Sequence, residues 1–175
     1  MKGLIMQLKD KTAIITGGGS GFGASMADLF AKNGAKVIVA DIDLDSARKV
    51  AEGTGGYALE VDVSNTKSVE QMKIDIFKEH EKIDIVVNNA GTTHLPAPME
   101  TIEEDEFDRV FNVNCKSVYL TAKHFVPHFK ENKSGVILNI ASTAGVSPRP
   151  NLNWYNSSKG WMILASKTMA VELAP

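Results

Sequence analysis

Five short apolar runs recur along the chain, and helical periodicity fills the intervals between them. The runs are TAIIT (12–16), KVIVA (36–40), YALEV (57–61), IDIVV (83–87) and GVILNI (135–140). Strands that alternate with helices predict a parallel α/β sheet. The runs are continuously apolar, as is typical of strands covered by helices on both faces. We therefore expect a three-layer αβα fold in which all five strands are buried.

The helical segments between these runs carry their own boundary signals. Glycine commonly ends a helix, which places two helix ends at Gly34 and Gly53. Aromatic and aliphatic residues at 3.6-residue spacing predict one long helix, and Pro127 is expected to kink its end. The predicted helices cover 22–33, 44–52, a segment after Ser64, 104–130, and a last segment that begins near Tyr155.

Composition and charge exclude several classes of protein. At 175 residues and 43% hydrophobic content, the chain can bury the core of a single domain. Its 19 basic and 21 acidic side chains give a net charge of −2 without a like-charge block. This balance predicts binding neither to nucleic acid nor to an anionic membrane, and leaves small molecules or copies of the chain as partners.

Cysteine content and hydropathy indicate the compartment. The only cysteine, Cys115, excludes an internal disulfide, and no Cys or His cluster has zinc-ligand spacing, so we expect no metal. The first residues lack a signal-peptide pattern, and no stretch approaches the roughly 20 apolar residues that span a bilayer. We predict a cytoplasmic protein.

A glycine-rich segment, TGGGSGFG (16–23), lies between the first strand and the first helix. Glycine permits positive φ and close approach of the backbone, and a helix N-terminus offers unpaired N–H groups to a pyrophosphate. The segment is therefore a candidate dinucleotide-binding loop. A bare flexible turn remains the alternative.

An acidic residue follows this loop at the distance that dinucleotide sites use. Asp41 closes the second run, about 20 residues after Gly21. A carboxylate there binds the ribose 2′-OH and repels a 2′-phosphate, and neither Gly19 nor Ser20 supplies a cation to receive a phosphate. We therefore predict NAD(H) over NADP(H). Alternatively Asp41 caps the next helix, although Asp43 is better placed for that role.

Two irregular segments follow predicted strands, TTHLPAPME (92–100) and TAGVSPRPNLN (143–153). Ligands bind beyond the carboxyl ends of the strands in open α/β sheets, so both segments are candidate substrate loops. Arg149 is a candidate contact for an acidic substrate, with a solvated loop arginine as the favoured alternative. We interpret His94 as a loop residue rather than a base.

Tyrosine and lysine stand four residues apart twice, at Tyr155–Lys159 and at Tyr119–Lys123. This spacing places both side chains on one helical face. Only Tyr155 has a serine at a strand end, Ser142, shortly before it in the sequence. We therefore predict chemistry at Tyr155 and an interface or solvent-facing role for Tyr119.

The order of these motifs resembles the short-chain dehydrogenase/reductase family over essentially the whole sequence. The resemblance rests on T-G-x-x-x-G-x-G at 16–23, NNAG at 88–91, Asn114, Ser142 and Tyr155-x-x-x-Lys159. Within the family the chain is most similar to bacterial 3-oxoacyl-acyl-carrier-protein reductases. The resemblance implies a Rossmann-like doubly wound parallel sheet and a homodimer or homotetramer built on the long helix and the last helix.

The family continues with further strands and a substrate lid that this sequence lacks. We therefore expect a single NAD(P)-binding domain over residues 1–175 that is C-terminally incomplete, with GVILNI as an open apolar sheet edge. The resemblance implies hydride transfer between a nicotinamide cofactor and a ketone or secondary alcohol. A 3-oxoacyl thioester is the leading substrate, and a sugar or other secondary alcohol is next. A non-catalytic NAD-sensing module is the alternative.

The resemblance also implies a role for each matching residue. In the catalytic set, Tyr155 would donate the proton, Lys159 would lower its pKa, Ser142 would hold the substrate oxygen and Asn114 would support a water relay. Purely structural roles are the alternatives: Asp62 begins a turn, and the asparagines at 88 and 89 satisfy backbone groups at a strand end. The implied cofactor-binding residues are Gly17, Gly19, Ser20, Gly21, Phe22, Gly23, Asp41, Asp62, Val63, Asn89, Ala90, Gly91, Tyr155 and Lys159.

Overall fold

The computed structural model describes residues 7–174 and contains a five-stranded parallel sheet with helices on both faces. The strands are β1 (Thr12–Thr16), β2 (Lys36–Asp41), β3 (Tyr57–Glu60), β4 (Ile85–Asn88) and β5 (Val136–Asn139). Their order is β3-β2-β1-β4-β5, and every pair is parallel. After β3 the chain returns to the free side of β1, which makes the sheet doubly wound and confirms the predicted fold class.

Six helices connect and cover the strands. They are α1 (Gly21–Lys32), α2 (Leu44–Thr54), α3 (Thr66–Glu79), α4 (Glu104–Phe111), α5 (Ser117–Asn132) and α6 (Asn153–Leu173). Short 3₁₀ turns lie within the two predicted substrate loops, at Met99–Thr101 and Thr143–Gly145. No helix in the described part of the chain has the length and hydropathy to cross a bilayer.

Alternate residues of the strands feed two separate hydrophobic cores. In β1, Ile14 packs on the face that α3 and α5 cover, whereas Ala13 and Ile15 pack on the face that α1 and α2 cover. All three side chains are fully buried. Burial on both faces explains why the run is continuously apolar.

One predicted helix end needs correction. α2 passes through Gly53 and ends at Gly55, whose φ of +64° is the left-handed conformation that glycine adopts most easily. α3 begins after Ser64, as predicted, and its cap is Asn65, whose side chain accepts hydrogen bonds from the Lys67 and Ser68 N–H groups. α5 includes Pro127, as predicted, and ends at Asn132, shortly after the predicted end at Lys130.

The long predicted helix over 104–130 is interrupted by a π-helical segment, Asn112–Lys116, which joins α4 to α5. Such segments insert one extra residue into a turn and are frequent at functional sites. Asn114 lies at the middle of this segment.

The prediction that all strands are buried is wrong for the two edge strands, β3, where Tyr57 and Glu60 are exposed, and β5. Val136 and Leu138 are 56% and 42% exposed, because β5 forms one edge of the sheet and no helix among residues 7–174 covers their face. Ile137, on the opposite face, lines an apolar groove of about 570 Å³ between α5 and α6. The expected open apolar edge is therefore present at β5.

Candidate active site

The carboxyl ends of the parallel strands bring the predicted site residues to one edge of the sheet. Gly17 follows β1, Asp41 ends β2, and Asp62 follows β3. Asn89 follows β4, and Ser142 comes shortly after β5. The topology thus collects residues from the first strand to the last, which are far apart in the sequence.

A cavity of about 380 Å³ opens at this edge. Most of the predicted cofactor-binding residues line it, whereas Gly19, Gly23, Tyr155 and Lys159 do not. Three lining residues were missed, Ile42, Val61 and Val113. All three adjoin predicted site residues in the sequence, Asp41, Asp62 and Asn114, so adjacency was the available signal. The lining consists of Gly17, Ser20, Gly21, Phe22, Asp41, Ile42, Val61, Asp62, Val63, Asn89, Ala90, Gly91 and Val113.

The glycine loop is a tight and well-anchored turn. Gly17 and Gly21 have φ values of +62° and +53°. A Cβ on Gly23 would lie 2.0 Å from the Gly17 carbonyl oxygen, so only glycine permits this approach of α1 to the loop. The Asn89 amide donates to the carbonyls of Thr16 (2.9 Å) and Gly17 (3.0 Å). The backbone after β1 is therefore fixed from two sides.

The Asp41 carboxylate lies between the glycine loop and the cavity. Its Oδ2 accepts from the Gly19 N–H at 2.8 Å, and its Oδ1 accepts from the Asp43 N–H at 3.1 Å. Asp43 caps α2 by accepting from the N–H groups of Asp45 and Ser46. The alternative that Asp41 caps this helix is therefore wrong.

Asp62 and Asn89 make the contacts that the alternatives describe, a turn and bonds to backbone carbonyls, whereas the Asn88 side chain bonds to other side chains. The Asp62 Oδ1 accepts from the N–H and the hydroxyl of Ser64, at 2.9 and 2.6 Å. Asn88 joins Thr121 and Asn139 in a buried side-chain network. Asp62 and Asn89 also line the cavity, so their turn contacts coexist with a surface that a ligand can reach.

Asn114 is fully buried and connects three elements of the site. Its Oδ1 accepts from the Thr92 N–H (2.8 Å), and its Nδ2 donates to the Thr92 carbonyl (2.8 Å) and to the Ser158 hydroxyl (2.9 Å). Thr92 and Ser158 were not predicted, because single polar residues beside the motifs carry no distinguishing pattern. Asn114 therefore joins the loop after β4 to α6.

Lys159 lies beside this network. Its Nζ donates to the Ile140 carbonyl at 2.8 Å, and the side chain is almost fully buried. A Cβ built on Gly91 would be 3.4 Å from both the Lys159 Nζ and the Asn114 Oδ1. The structure therefore brings the lysine and the asparagine together next to a wall of the cavity.

Ser142 and Tyr155 reach this region from adjacent elements. The Ser142 hydroxyl accepts from the Ala144 N–H at 3.1 Å and begins the 3₁₀ turn. This turn packs on α6, because a Cβ on Gly145 would lie 2.7 Å from the Lys159 carbonyl carbon. Tyr155 is half-buried at the start of α6.

Burial shapes the electrostatics of the site. Loss of water contact lowers the pKa of Lys159, and no carboxylate among residues 7–174 lies within ion-pairing distance of it. Burial raises the pKa of the neighbouring Cys115 thiol to about 11, against a smaller opposite effect of Lys159. Cys115 is thus the buried, unreactive side chain that its position predicts.

The other singled-out residues lie away from this network. Tyr119 is 54% exposed on α5, and the Lys123 ammonium lies 6.0 Å from the centre of its ring. His94 is buried in its loop, with Nδ1 2.8 Å from the Leu95 carbonyl oxygen. The Arg149 backbone carbonyl accepts from the Asn156 amide. Among residues 7–174, no three His, Cys, Asp or Glu side chains cluster closely enough to hold a metal ion.

Comparison with known proteins identifies relatives of this arrangement. Residues 11–175 match the family model described as short chain dehydrogenase. The chain is 44% identical to 4-formylbenzenesulfonate dehydrogenase from Comamonas testosteroni, over 97% of this chain and 69% of the relative. It is 36% identical to a 3-oxoacyl-[acyl-carrier-protein] reductase from Thermotoga maritima, over 97% of this chain and 70% of the relative.

A solved structure gives the same comparison in three dimensions. It is a 3-ketoacyl-(acyl-carrier-protein) reductase from Brucella melitensis complexed with NADH, 46% identical with a TM-score of 0.94. The match covers 97% of this chain and 72% of that chain.

Proposed function

This chain belongs to the short-chain dehydrogenase family, and from that premise we propose that it transfers a hydride between NAD(H) and a ketone or secondary alcohol, with Tyr155 as the proton donor. Family membership makes it an NAD(P)-dependent oxidoreductase acting on CH–OH or carbonyl groups. The observation that carries the residue-level proposal is the meeting of Asn114 and Lys159 at Gly91, on the wall of the cavity.

The cavity residues fit a dinucleotide. Gly17 and Gly23 allow the loop and α1 to approach closely, and a Cβ on Gly21 would meet nothing within 4 Å, which leaves open space at the helix N-terminus. Unpaired N–H groups at such a terminus bind a pyrophosphate. The nicotinamide group supplies or accepts the hydride when bound. In our proposal Asn89, Ala90 and Gly91 border it on the side of Lys159.

Asp41 supports a preference for NAD(H). Its carboxylate lines the cavity and is fixed by the Gly19 and Asp43 N–H groups. A fixed carboxylate accepts a hydrogen bond from a ribose 2′-OH and repels a 2′-phosphate. Its contribution is thus to bind one cofactor and to exclude the other.

Substitution of Asp41 tests this preference. We expect Asp41→Ala to weaken NADH binding and to bring the dissociation constants of NADH and NADPH closer together, measured by fluorescence titration. Asp43→Ala is the control, since Asp43 caps α2 but does not line the cavity. It should lower the melting temperature and leave the ratio of the two constants unchanged. An unchanged ratio in Asp41→Ala would exclude the proposed role.

In the proposed mechanism, Tyr155 gives its phenolic proton to the substrate oxygen as that oxygen gains charge. Lys159 lies one helical turn further along α6, and its ammonium would stabilise the negative charge left on the tyrosine oxygen after proton transfer. One Lys159 donor is used on the Ile140 carbonyl, so two remain for the tyrosine oxygen and for a cofactor hydroxyl. The Ser142 hydroxyl accepts from Ala144 and retains its own proton to hold the substrate oxygen.

Asn114 has a supporting part in this proposal. Its Oδ1 accepts one hydrogen bond and its Nδ2 donates two, to Thr92 and Ser158, so the side chain holds the loop and α6 in register. The second lone pair of Oδ1 remains available to support the proposed water relay to Lys159.

Tyrosine substitution is the direct test of the proposal. Tyr155→Phe should nearly abolish turnover while NADH binding is retained, because only the phenolic proton is removed. Tyr119→Phe removes the same hydroxyl from an exposed tyrosine of α5 and should leave turnover unchanged. Both are measured by the absorbance of the reduced cofactor. Full turnover in Tyr155→Phe would contradict the assignment.

The relatives support two substrate classes. We favour a 3-oxoacyl thioester because 3-oxoacyl or 3-ketoacyl reductases are 36% and 46% identical to this chain. A small aldehyde or alcohol is the second candidate, because the 44% identical relative is a 4-formylbenzenesulfonate dehydrogenase. A panel of 3-oxoacyl thioesters, aromatic aldehydes, sugars and secondary alcohols separates them. Tight NADH binding without turnover on any of these would favour the NAD-sensing alternative.

Exposed apolar residues support assembly of copies. On α6, Trp161, Leu164 and Val171 are 41%, 67% and 82% exposed and lie at the spacing of one helical face. We propose a homodimer or homotetramer in which α6 and the α4–α5 helix pair with their copies. Sedimentation velocity tests this, and Leu164→Glu should shift the protein toward the monomer.

A further inference from the structure

Arg109, near the end of α4, contacts both an acid of its own helix and the loop after β4. Its Nε donates to the Glu106 Oε2 at 2.8 Å, and its Nη2 lies 3.1 Å from the Glu106 Oε1. The same guanidinium donates to the Thr92 hydroxyl and, at 3.0 Å, to the Thr93 carbonyl. One planar group therefore bridges the helix and the candidate substrate loop.

Thr92 is held from two directions. Its backbone N–H and carbonyl both bond to the Asn114 amide, and its hydroxyl bonds to Arg109. Arg109 and Asn114 project from the same helical rod, five residues apart. In a regular α-helix, residues five apart point about 140° away from each other. The π segment Asn112–Lys116 alters that spacing, and both side chains reach one threonine.

A second arginine, Arg48, forms a similar ion pair on its own helix but does not contact a loop among the described hydrogen bonds. Arg48 pairs with Asp45 at the same three-residue spacing on α2. Such exposed pairs contribute little to stability. The difference is the contact with Thr92 and Thr93, which belong to the segment between Gly91 on the cavity wall and buried His94.

We propose that Arg109 is a positioning residue for the reaction. Paired with Glu106, it fixes Thr92 and Thr93, and through Thr92 it keeps Asn114 and the 92–100 loop in the reactive arrangement. This inference rests on the proposed oxidoreductase function. Arg109 touches neither the cofactor cavity nor the reacting groups, so it acts on the reaction by positioning the loop and Asn114. A displacement of about 1 Å in such a site costs up to about 100-fold in rate.

The conservative variant Arg109→Lys tests the inference. Lysine keeps the charge but, as a single ammonium, cannot span Glu106, Thr92 and Thr93 together. We expect kcat to fall about tenfold with the NADH dissociation constant unchanged. Arg48→Lys is the matched control and should retain wild-type kcat. Guanidinium ion at millimolar concentration should partly restore turnover of Arg109→Ala, and should not affect Arg48→Ala.

Hydrogen exchange gives a readout that does not depend on activity. The Thr92 N–H is bonded to Asn114, so its exchange reports directly on the held loop. We expect exchange in an 88–98 peptide, in which the Thr92 amide is retained, to rise more than tenfold in Arg109→Lys and to stay constant in Arg48→Lys. Unchanged exchange, or unchanged kcat in an active enzyme, overturns the inference. A wild-type protein inactive on every substrate refutes the proposed function instead, while exchange still decides whether Arg109 holds the loop.

Discussion

Gly23 of α1 provides a sharp test of how the glycine loop is built. An alanine Cβ at this position would lie 2.0 Å from the Gly17 carbonyl oxygen and 2.7 Å from the Asn89 Nδ2. Ordinary contact begins at 3.4 Å, so this Cβ would lie deep inside the contact distance of a backbone atom. The loop must move, because a carbonyl in a tight turn cannot rotate away as a flexible side chain does.

The size of the effect follows from what must move. Overpacking of this kind costs about 1–3 kcal/mol, and loss of the Asn89–Gly17 hydrogen bond costs about 1 kcal/mol more. A total of about 3 kcal/mol lowers the melting temperature by about 6–12 °C in a domain of this size. Displacement of Gly17 also distorts the cavity, so we expect NADH affinity to fall at least about tenfold.

Gly53→Ala is the matched control, because Gly53 is also a helix-interior glycine. A Cβ there would meet nothing within 4 Å, and alanine should stabilise α2 by about 0.5–1 kcal/mol. Thermal unfolding and NADH titration of both variants give the comparison. Gly23→Ala with unchanged melting temperature and unchanged NADH affinity would refute the close-approach argument.

Two further predictions concern buried groups near Asn114. Lys159→Met should abolish turnover and alter the pH dependence of stability. Burial holds the Lys159 pKa below 10.5, so protonation of Lys159 destabilises the folded state. This destabilisation is complete at pH values below the folded-state pKa and absent above pH 10.5. The free energy of unfolding of Lys159→Met relative to wild type should therefore decline as pH rises toward 10.5 in urea titrations; a constant difference would contradict this. Cys115, with its pKa raised to about 11, should resist iodoacetamide at pH 8 in the native protein and react once per chain in urea, which mass spectrometry measures; native labelling at the denatured rate would contradict its burial.

The strands and their parallel arrangement were predictable because burial on both faces leaves a continuous apolar run. β1 has the predicted limits, Thr12–Thr16. The exposure of β5 was not predictable, since an apolar run does not say whether a helix covers it. Likewise, the segment GTGG offers three glycines, and only the three-dimensional path selects Gly55 for the left-handed end of α2.

The candidate site was predictable where motifs carry it and not where single polar contacts do. Most residues of the cavity lie in the glycine loop, at Asp41 and in NNAG, all of which have recognisable spacing. By contrast, Asn114 bonds to partners 22 and 44 residues away, Thr92 and Ser158. No local pattern records such a pairing. The π segment was missed for a related reason, since one inserted residue leaves the apolar periodicity nearly unchanged.

The position of β1 between β2 and β4 determines when the cavity can form during folding. Ala13 pairs with Val37 of β2, which is near in the sequence, and with Ile85 of β4, which is much further along. Closing a loop about three times as long costs about 1 kcal/mol more in chain entropy, so we expect the β1–β4 contact to form after the local half of the sheet. Asn89, which fixes the glycine loop, follows β4 directly in the sequence. We therefore expect a dinucleotide to meet a finished site only late in folding, after the first three strands have paired.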